Sequence, residues 1–174
     1  SWGISTRSIG IMLAIHGDDK GLVLPPRVAP NKAVIIPILF KKDKDKVLKA
    51  AKAVAKKLKE YDAMLDDRED YSPGWKYNEW ELKGIPLRIE MGPRDLKNKE
   101  VIVVRRDTNQ KITIKEKDLV KEVDKLLSAM QKNMLSKARK ELNKIIIKTS
   151  SMSALKKAIK DRKVGLTYWD GTMS

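Results

Sequence analysis

The continuous apolar run at residues 33–40 most constrains how this 174-residue chain can fold. It has the length of a strand, and a strand that is apolar at every position has both of its faces buried, as in a sheet covered by helices. Residues 44–60 follow with a helical period and a coat of lysine. Their single apolar stripe consists of Val47, Ala51, Val54 and Leu58. The two segments together predict an α/β fold.

Strand and helix patterns continue to alternate along the chain. Strands are predicted at residues 63–66, 87–91, 100–106 and 111–115, with a hairpin turn at 107–110. Helices are predicted at residues 75–83, closed by Gly84, and at 116 to about 147. The order β-α-β-α-β-β-β-α predicts a mixed sheet of about five strands flanked by helices and followed by a long helical segment.

Shorter elements are predicted at both ends. At the start these are a helix at residues 5–16, capped by Ser5 or Thr6, and a short strand at 22–24. The three prolines at positions 25, 26 and 30 predict a stiff connector, because proline fixes φ and removes a donor. Near the end, Ser151 or Ser153 should cap a helix through Lys160, and residues 164–169 predict a strand. We therefore divide the chain into residues 1–30, 31–118 and 119–174.

The composition favours a polyanionic partner. Lysine and arginine number 38 against 23 acidic residues, a formal net charge of +15. A lysine-rich surface adapted to heat or salt would produce the same excess, so both interpretations remain open. With no cysteine and one histidine, no zinc site is expected. No apolar run reaches the roughly 18 residues of a membrane span, so no membrane partner is expected.

Residues 75–95 contain the candidate chemistry, because their aromatic side chains are interleaved with charged ones. Aromatic rings can stack on unpaired bases, while arginine and carboxylate groups bind base edges. Guanine requires a donor for O6 and N7 and an acceptor for its N1 and N2 hydrogens, so Arg94 and Asp95 have matching chemistry. In the alternative interpretation, Trp75 and Trp80 belong to the core and Arg94 and Asp95 form a loop ion pair.

An acidic cluster follows the strand predicted at residues 63–66. Asp66, Asp67 and Glu69 are candidates for binding magnesium or for acid–base chemistry. Such a cluster also suits a structural role, in which it caps the next turn and pairs with Arg68. The sequence favours this structural role.

Several motifs in the chain resemble class II prolyl-tRNA synthetases of the archaeal and eukaryote-like type. Residues 1–10 (SWGISTRSIG), followed by His16-Gly17-Asp18, are similar to the third class-defining motif of that family. The resemblance continues through residues 22–30 (LVLPPRVAP), 65–68 (LDDR), 71–75 (YSPGW), 79–86 (EWELKGIP) and 88–95 (RIEMGPRD). It covers most of the chain and indicates the end of a catalytic domain followed by an anticodon-binding domain.

This resemblance implies a function for the parent enzyme and roles for individual residues. The parent would be a cytoplasmic homodimer that uses ATP, with magnesium, to join proline to tRNA(Pro) through a prolyl-adenylate. Ser5 and Arg7 would contact ATP, with the planar guanidinium packed on adenine. The two guanines of the proline anticodon would be bound by Tyr77, Glu81, Arg88, Arg94 and Asp95.

The chain also departs from the family pattern. Ser1 stands at the first glycine of the general class motif, and Arg94 is lysine in some relatives. A Cys-Gly of a zinc-binding domain is expected after Tyr168, but Trp169-Asp170 is present instead. The other class-defining motifs are missing, so this piece alone should not be catalytic. Two alternatives remain: a free-standing anticodon-domain-like accessory protein that binds nucleic acid, and a basic α/β scaffold for protein partners.

Overall fold

The computed structural model describes residues 3–40 and 43–168. Ser1 and Trp2 of the third motif, and Trp169 and Asp170 after the expected end of the resemblance, therefore lie outside the described residues. The chain forms two compact units, Ser1–Met134 and Leu135–Ser174. Among the helices that are described, none combines the length and the apolar character needed to cross a membrane.

The first unit contains most of the regular structure. Its elements are α1 (Arg7–His16), β1 (Ala33–Pro37), α2 (Lys44–Lys57), β2 (Met64–Leu65), α3 (Pro73–Leu82), β3 (Leu87–Met91), α4 (Pro93–Asn98), β4 (Glu100–Arg105) and β5 (Lys111–Lys115). Helix α5 (Leu119–Ile145) includes residues of both units. Single 3-10 turns occur at Lys59–Tyr61 and Glu116–Asp118. The second unit adds β6 (Ile146–Lys148), α6 (Met152–Lys160) and β7 (Val164–Leu166).

The predicted mixed sheet is confirmed. Five strands lie in the order β2-β1-β3-β4-β5. Strand β1 runs parallel to both β2 and β3, while β4 is antiparallel to β3 and β5. Because β2, β1 and β3 are parallel neighbours, the segments that follow them leave the sheet at one common edge.

Helices cover both faces of this sheet, as the apolar run at residues 33–40 predicted. All five residues of β1 are buried. Ile35 and Ile89 pack with the stripe of α2 and with the first turns of α5, whereas Val34 and Ile36 pack with Trp80 of α3. Burying each large apolar side chain contributes about 1.5–3 kcal/mol, so the sheet core dominates the stability of this unit.

Two predicted elements at the ends of the chain differ from the structure. Residues 22–24 do not form a strand; the Leu22 and Leu24 N–H groups instead donate to the carbonyls of Leu82 and Gly84, 3.0 and 3.1 Å away. The long helix ends at Ile145, because the next three residues pair in parallel with β7. Both differences arise because partners distant in sequence supply hydrogen bonds that local periodicity does not reveal.

Two of the predicted helix caps have different outcomes. Thr6 is the N-cap residue of α1, but its side chain makes no capping hydrogen bond. Ser151 caps α6 as predicted, since its hydroxyl accepts a hydrogen bond from the Ala154 N–H.

Replacing Gly84 with alanine should destabilise the domain. Gly84 has a φ of +73°, and an added Cβ would lie 2.6 Å from the Leu22 Cβ and 2.7 Å from its carbonyl oxygen. A strained residue of this kind costs about 1–3 kcal/mol before the clash is counted. Urea unfolding should show a loss of at least that size for Gly84→Ala. Gly74→Ala is the matched control, because no atom within 4 Å would meet its Cβ. The free energy of unfolding should fall more for Gly84→Ala than for Gly74→Ala, and equal losses would contradict the prediction.

Candidate nucleic-acid interface

Arg88 lies at the centre of a charged cluster beneath α3. Alternation along β3 directs Leu87, Ile89 and Met91 toward α2 and α5, which leaves Arg88 and Glu90 on the opposite face. The Arg88 Nε donates to Glu90 Oε1 at 3.0 Å, and its Nη1 donates to Glu81 Oε1 at 2.8 Å. Its guanidinium lies 4.3 Å from the centre of the Tyr77 ring. Two carboxylates and one aromatic ring therefore fix this guanidinium in place.

The cluster still offers hydrogen-bonding groups to a ligand. Within the described part of the chain, Arg88 Nη2 makes no hydrogen bond, and no buried side-chain nitrogen or oxygen lacks a partner. The Arg88 side chain is 9% exposed, and Nη2 is the group of this guanidinium that remains for a ligand. Burial raises the pKa of Tyr77 to about 12, and the charges of Glu90 and Asp95 act in the same direction. Tyr77 therefore keeps its hydroxyl proton at neutral pH.

Arg94 and Asp95 lie in α4, a short helix that the sequence analysis did not predict. Pro93 occupies the first turn of this short helix, and Asp95 Oδ2 accepts a hydrogen bond from the Gly92 N–H at 2.8 Å. Asp95 is thus bonded to the backbone of Gly92, and not to Arg94 as in the alternative of a loop ion pair. The Pro-x-Asp pattern after Gly92 is a helix-start signal that the sequence contained.

The structure brings together some of the predicted site residues and leaves others apart. Tyr77, Glu81 and Arg88 are in direct contact, and Asp95 lies close enough for its charge to affect Tyr77. Arg94 is exposed and makes none of these contacts. Ser5 and Arg7, which were predicted to contact ATP, are exposed at the start of α1 and contact none of the five in the part of the chain that is described.

Arg106 is a residue of the cluster that sequence analysis missed. It is 4% exposed, and its two terminal nitrogens donate to the Asp18 carboxylate at 2.7 and 2.6 Å. This hydrogen bonding lowers the pKa of Asp18 to about 2. Arg106 Nε also donates to the Glu81 carbonyl at 3.1 Å. Arg106 therefore joins Asp18, which follows α1, to the end of α3. Asp18 and Arg106 are 88 positions apart, and no sequence pattern predicts their contact.

A second cluster, on the other flank of α3, is organised by Asp66. Its carboxylate accepts hydrogen bonds from Arg68 Nε at 2.9 Å and from Trp80 Nε1 at 2.8 Å, and Lys76 Nζ lies 3.6 Å away. Burial by itself would raise the pKa of Asp66, but these bonds and the lysine charge outweigh it and hold the pKa well below its ordinary value. Asp66 and Arg68 thus have the structural role that the sequence favoured.

The two tryptophans of α3 occupy different environments. Trp80 is 9% exposed and packs in the core, whereas Trp75 is 44% exposed. The core interpretation therefore holds for Trp80 alone. Among the residues described, no group of three or more histidine or acidic side chains could hold a metal ion.

Comparison with known proteins identifies the sheet and its helices. A family model described as "Anticodon binding domain" matches residues 32–126, more than half of the chain. The chain belongs to this family. The matched region contains the Arg88 cluster and α4, so the predicted anticodon-binding domain is confirmed.

Curated relatives of the chain include several proline–tRNA ligases, which confirms the resemblance to prolyl-tRNA synthetases. The chain is 39% identical to the proline–tRNA ligase of Natranaerobius thermophilus, over the whole chain and 36% of that protein. It is 43% identical to the cytoplasmic proline–tRNA ligase of Arabidopsis thaliana, over 97% of the chain and 32% of that protein. Identity to the bifunctional glutamate/proline–tRNA ligase of mouse is 39%, over 94% of the chain and 11% of that protein. The chain thus spans about a third of the first two relatives.

Proposed function

We propose that this domain binds the anticodon of tRNA(Pro) through Tyr77, Glu81, Arg88, Arg94 and Asp95. The observation that supports the proposal best is the fixed Arg88 guanidinium, held by Glu81 and Glu90 against the Tyr77 ring. A site whose donors and acceptors are already fixed loses little entropy when a base binds. The domain limits of 31–118 remain our prediction.

Two donor–acceptor pairs are available for two guanines. Arg88 and Glu81 form the first pair. Arg94 and Asp95, in the first turn of α4, form the second. In each pair the arginine suits guanine O6 and N7, while the carboxylate suits the N1 and N2 hydrogens. Adenine has an acceptor at N1 and no amino group at position 2, so it would face a carboxylate without a matching donor.

The relatives named proline–tRNA ligase support an activity for the parent enzyme. It would attach proline to tRNA(Pro) by way of a prolyl-adenylate, with ATP and magnesium, as a cytoplasmic homodimer. Ser5 and Arg7 fit contacts with a nucleotide, because both side chains are exposed and the Arg7 guanidinium is planar. The other groups of an ATP site would come from residues outside this chain.

Binding to an anticodon stem-loop RNA tests the proposal directly. The 174-residue chain should bind the tRNA(Pro) stem-loop about 5- to 150-fold more tightly than a version with either guanine replaced by adenine, since a mismatch costs about 1–3 kcal/mol. Affinity for every version should fall steeply with salt, because each neutralised phosphate releases counterions. The measurement is a dissociation constant at several fixed salt concentrations.

The alternatives make different predictions for the same titration. Equal affinity for all versions would replace anticodon recognition with non-specific nucleic-acid binding. A flat salt response with weak binding would favour the protein-interaction scaffold.

A further inference from the structure

Tyr71 and Trp75 form an exposed aromatic pair that the proposed guanine site does not use. Their rings are stacked, with centroids 4.0 Å apart and an angle of 17° between the planes. Tyr71 is 42% exposed and Trp75 is 44% exposed. Large rings exposed side by side on a folded domain are typical of recognition surfaces, because they supply apolar area at a low cost in conformational entropy.

The pair is in contact with the Asp66 cluster through Arg68. The Arg68 guanidinium lies 5.1 Å from the Tyr71 ring centre and 5.4 Å from the Trp75 ring centre. Arg68 in turn bonds to the buried Asp66 and to Glu79. The rings are therefore anchored to the core, and a ligand that stacks on them would find them already in position.

The aromatic pair lies at the same edge of the sheet as Asp95. Tyr71 belongs to the segment after β2, and Asp95 follows β3, while the segment after β1 lies between them in strand order. The first residue of that middle segment is bonded to the end of β3, since the Ile38 N–H donates to the Met91 carbonyl at 2.8 Å. Two strand spacings, about 10 Å in total, separate β2 from β3.

A groove lies between Tyr71 of the aromatic pair and the segment after β1. It has a volume of about 490 Å³, and its lining includes Leu39, Phe40, Tyr71 and Ser72. Lys44 and Glu69, paired at 2.6 Å, also line it, so it offers both a donor and an acceptor. Its size lies within the range of about 300–1,000 Å³ that is typical of small-ligand sites.

We propose that Tyr71 and Trp75 form a second base-stacking site, which holds an unpaired base adjacent to the two guanines in the same RNA loop. This inference rests on the proposed anticodon binding. Stacking is tolerant of base identity, because every base has a π face. The pair should therefore contribute affinity while the Arg88 and Asp95 sites contribute preference for guanine. Tyr71 also precedes the Ser72 cap of α3, so a purely structural role as an apolar contact at the helix start is the alternative to test.

The test combines protein variants with RNA that lacks single bases. Trp75→Leu keeps an apolar contact at the helix start but removes the stacking ring, whereas Trp75→Phe keeps a ring. We expect Trp75→Leu to bind the tRNA(Pro) stem-loop about 5- to 150-fold more weakly with its guanine preference unchanged, and Trp75→Phe to retain most of the affinity. An abasic nucleotide at one of the two positions flanking the guanines should weaken wild-type binding by the same factor as Trp75→Leu does. That abasic change should have no further effect on Trp75→Leu.

Several outcomes would overturn the inference. If neither abasic RNA weakens binding by the wild-type chain, no base stacks on this pair, and that result does not depend on how any variant folds. If the abasic change and Trp75→Leu weaken binding independently, the base and the ring do not meet. Leu82→Ala, at an exposed position of the same helix, is the control and should bind normally. A wild-type chain without guanine preference would instead disprove the proposed function itself.

Discussion

Replacing Glu81 with glutamine should weaken binding of the guanine-containing anticodon by about 5- to 150-fold, equivalent to about 1–3 kcal/mol. Glutamine has nearly the same shape and retains one acceptor oxygen, which can still receive the Arg88 Nη1 bond now seen at 2.8 Å. Its second polar atom becomes an NH2 donor, which opposes the N1 and N2 hydrogens of guanine and suits the N1 acceptor of adenine. The preference for guanine over adenine should therefore narrow at one anticodon position.

Asp95→Asn is the companion change for the other guanine. The asparagine carbonyl can still accept the Gly92 N–H bond that Asp95 Oδ2 receives at 2.8 Å, so α4 should remain intact. Its other polar atom changes from acceptor to donor. We expect Glu81→Gln and Asp95→Asn each to affect one of the two guanine-to-adenine RNAs more than the other, measured as dissociation constants at one fixed salt concentration.

Removing one positive charge from α2, away from the proposed guanine site, should behave differently and provides the control. Lys52 is exposed on α2, so Lys52→Ala should change the affinity for all RNAs by a similar, small factor. If Glu81→Gln and Asp95→Asn both keep the full guanine preference, these carboxylates do not face the anticodon bases. The domain would then be a non-specific nucleic-acid-binding module.

Asp66→Ala should lower the free energy of unfolding by about 3–5 kcal/mol, because it leaves a buried cation without its partner. The Lys76 side chain is 3% exposed and lies 3.6 Å from the Asp66 carboxylate. The same substitution removes the acceptor of Trp80 Nε1 and the paired bonds of Arg68. Urea unfolding of the wild-type and variant chains measures the loss.

Two matched variants separate the buried charge from the lost packing. Asp67→Ala changes an exposed neighbouring carboxylate and should stay within about 0.5 kcal/mol of wild type. Adding Lys76→Met to Asp66→Ala should recover part of the stability, because it replaces the uncompensated ammonium with an apolar side chain of similar length. A loss below about 1 kcal/mol for Asp66→Ala, or no recovery in the double variant, would show that the cluster is not a buried ion network.

Acid should weaken the same network. The pKa of Asp66 in the folded chain lies below its ordinary value of 3.8. Its contribution is therefore fully present above pH 3.8 and is lost as the pH falls toward the folded-state pKa. Below pH 3.8 the wild-type chain should lose stability more steeply than Asp66→Ala, which lacks this group.

The sequence by itself determined the elements whose signals are local. The apolar run of β1 and the stripe of α2 predicted a covered sheet, because a side chain's face depends only on its position within one strand or helix. The motifs that resemble prolyl-tRNA synthetases also identified the family, and the match at residues 32–126 confirms it. The start of α4 also carries a local signal, the proline and aspartate after Gly92, although no helix is predicted there from periodicity.

Tertiary structure alone decided which polar groups meet. Trp75 and Trp80 are five positions apart on one helix, and only the placement of α3 on the sheet buries one and exposes the other. Asp18 and Arg106 pair across 88 positions, and Ile146–Lys148 becomes a strand because Val164–Leu166 lies beside it. These contacts depend on the closure of long loops and on the desolvation of charges in the folded chain. Periodicity along the sequence reports which face a side chain occupies, whereas its partner across that face is set by the packing of other segments.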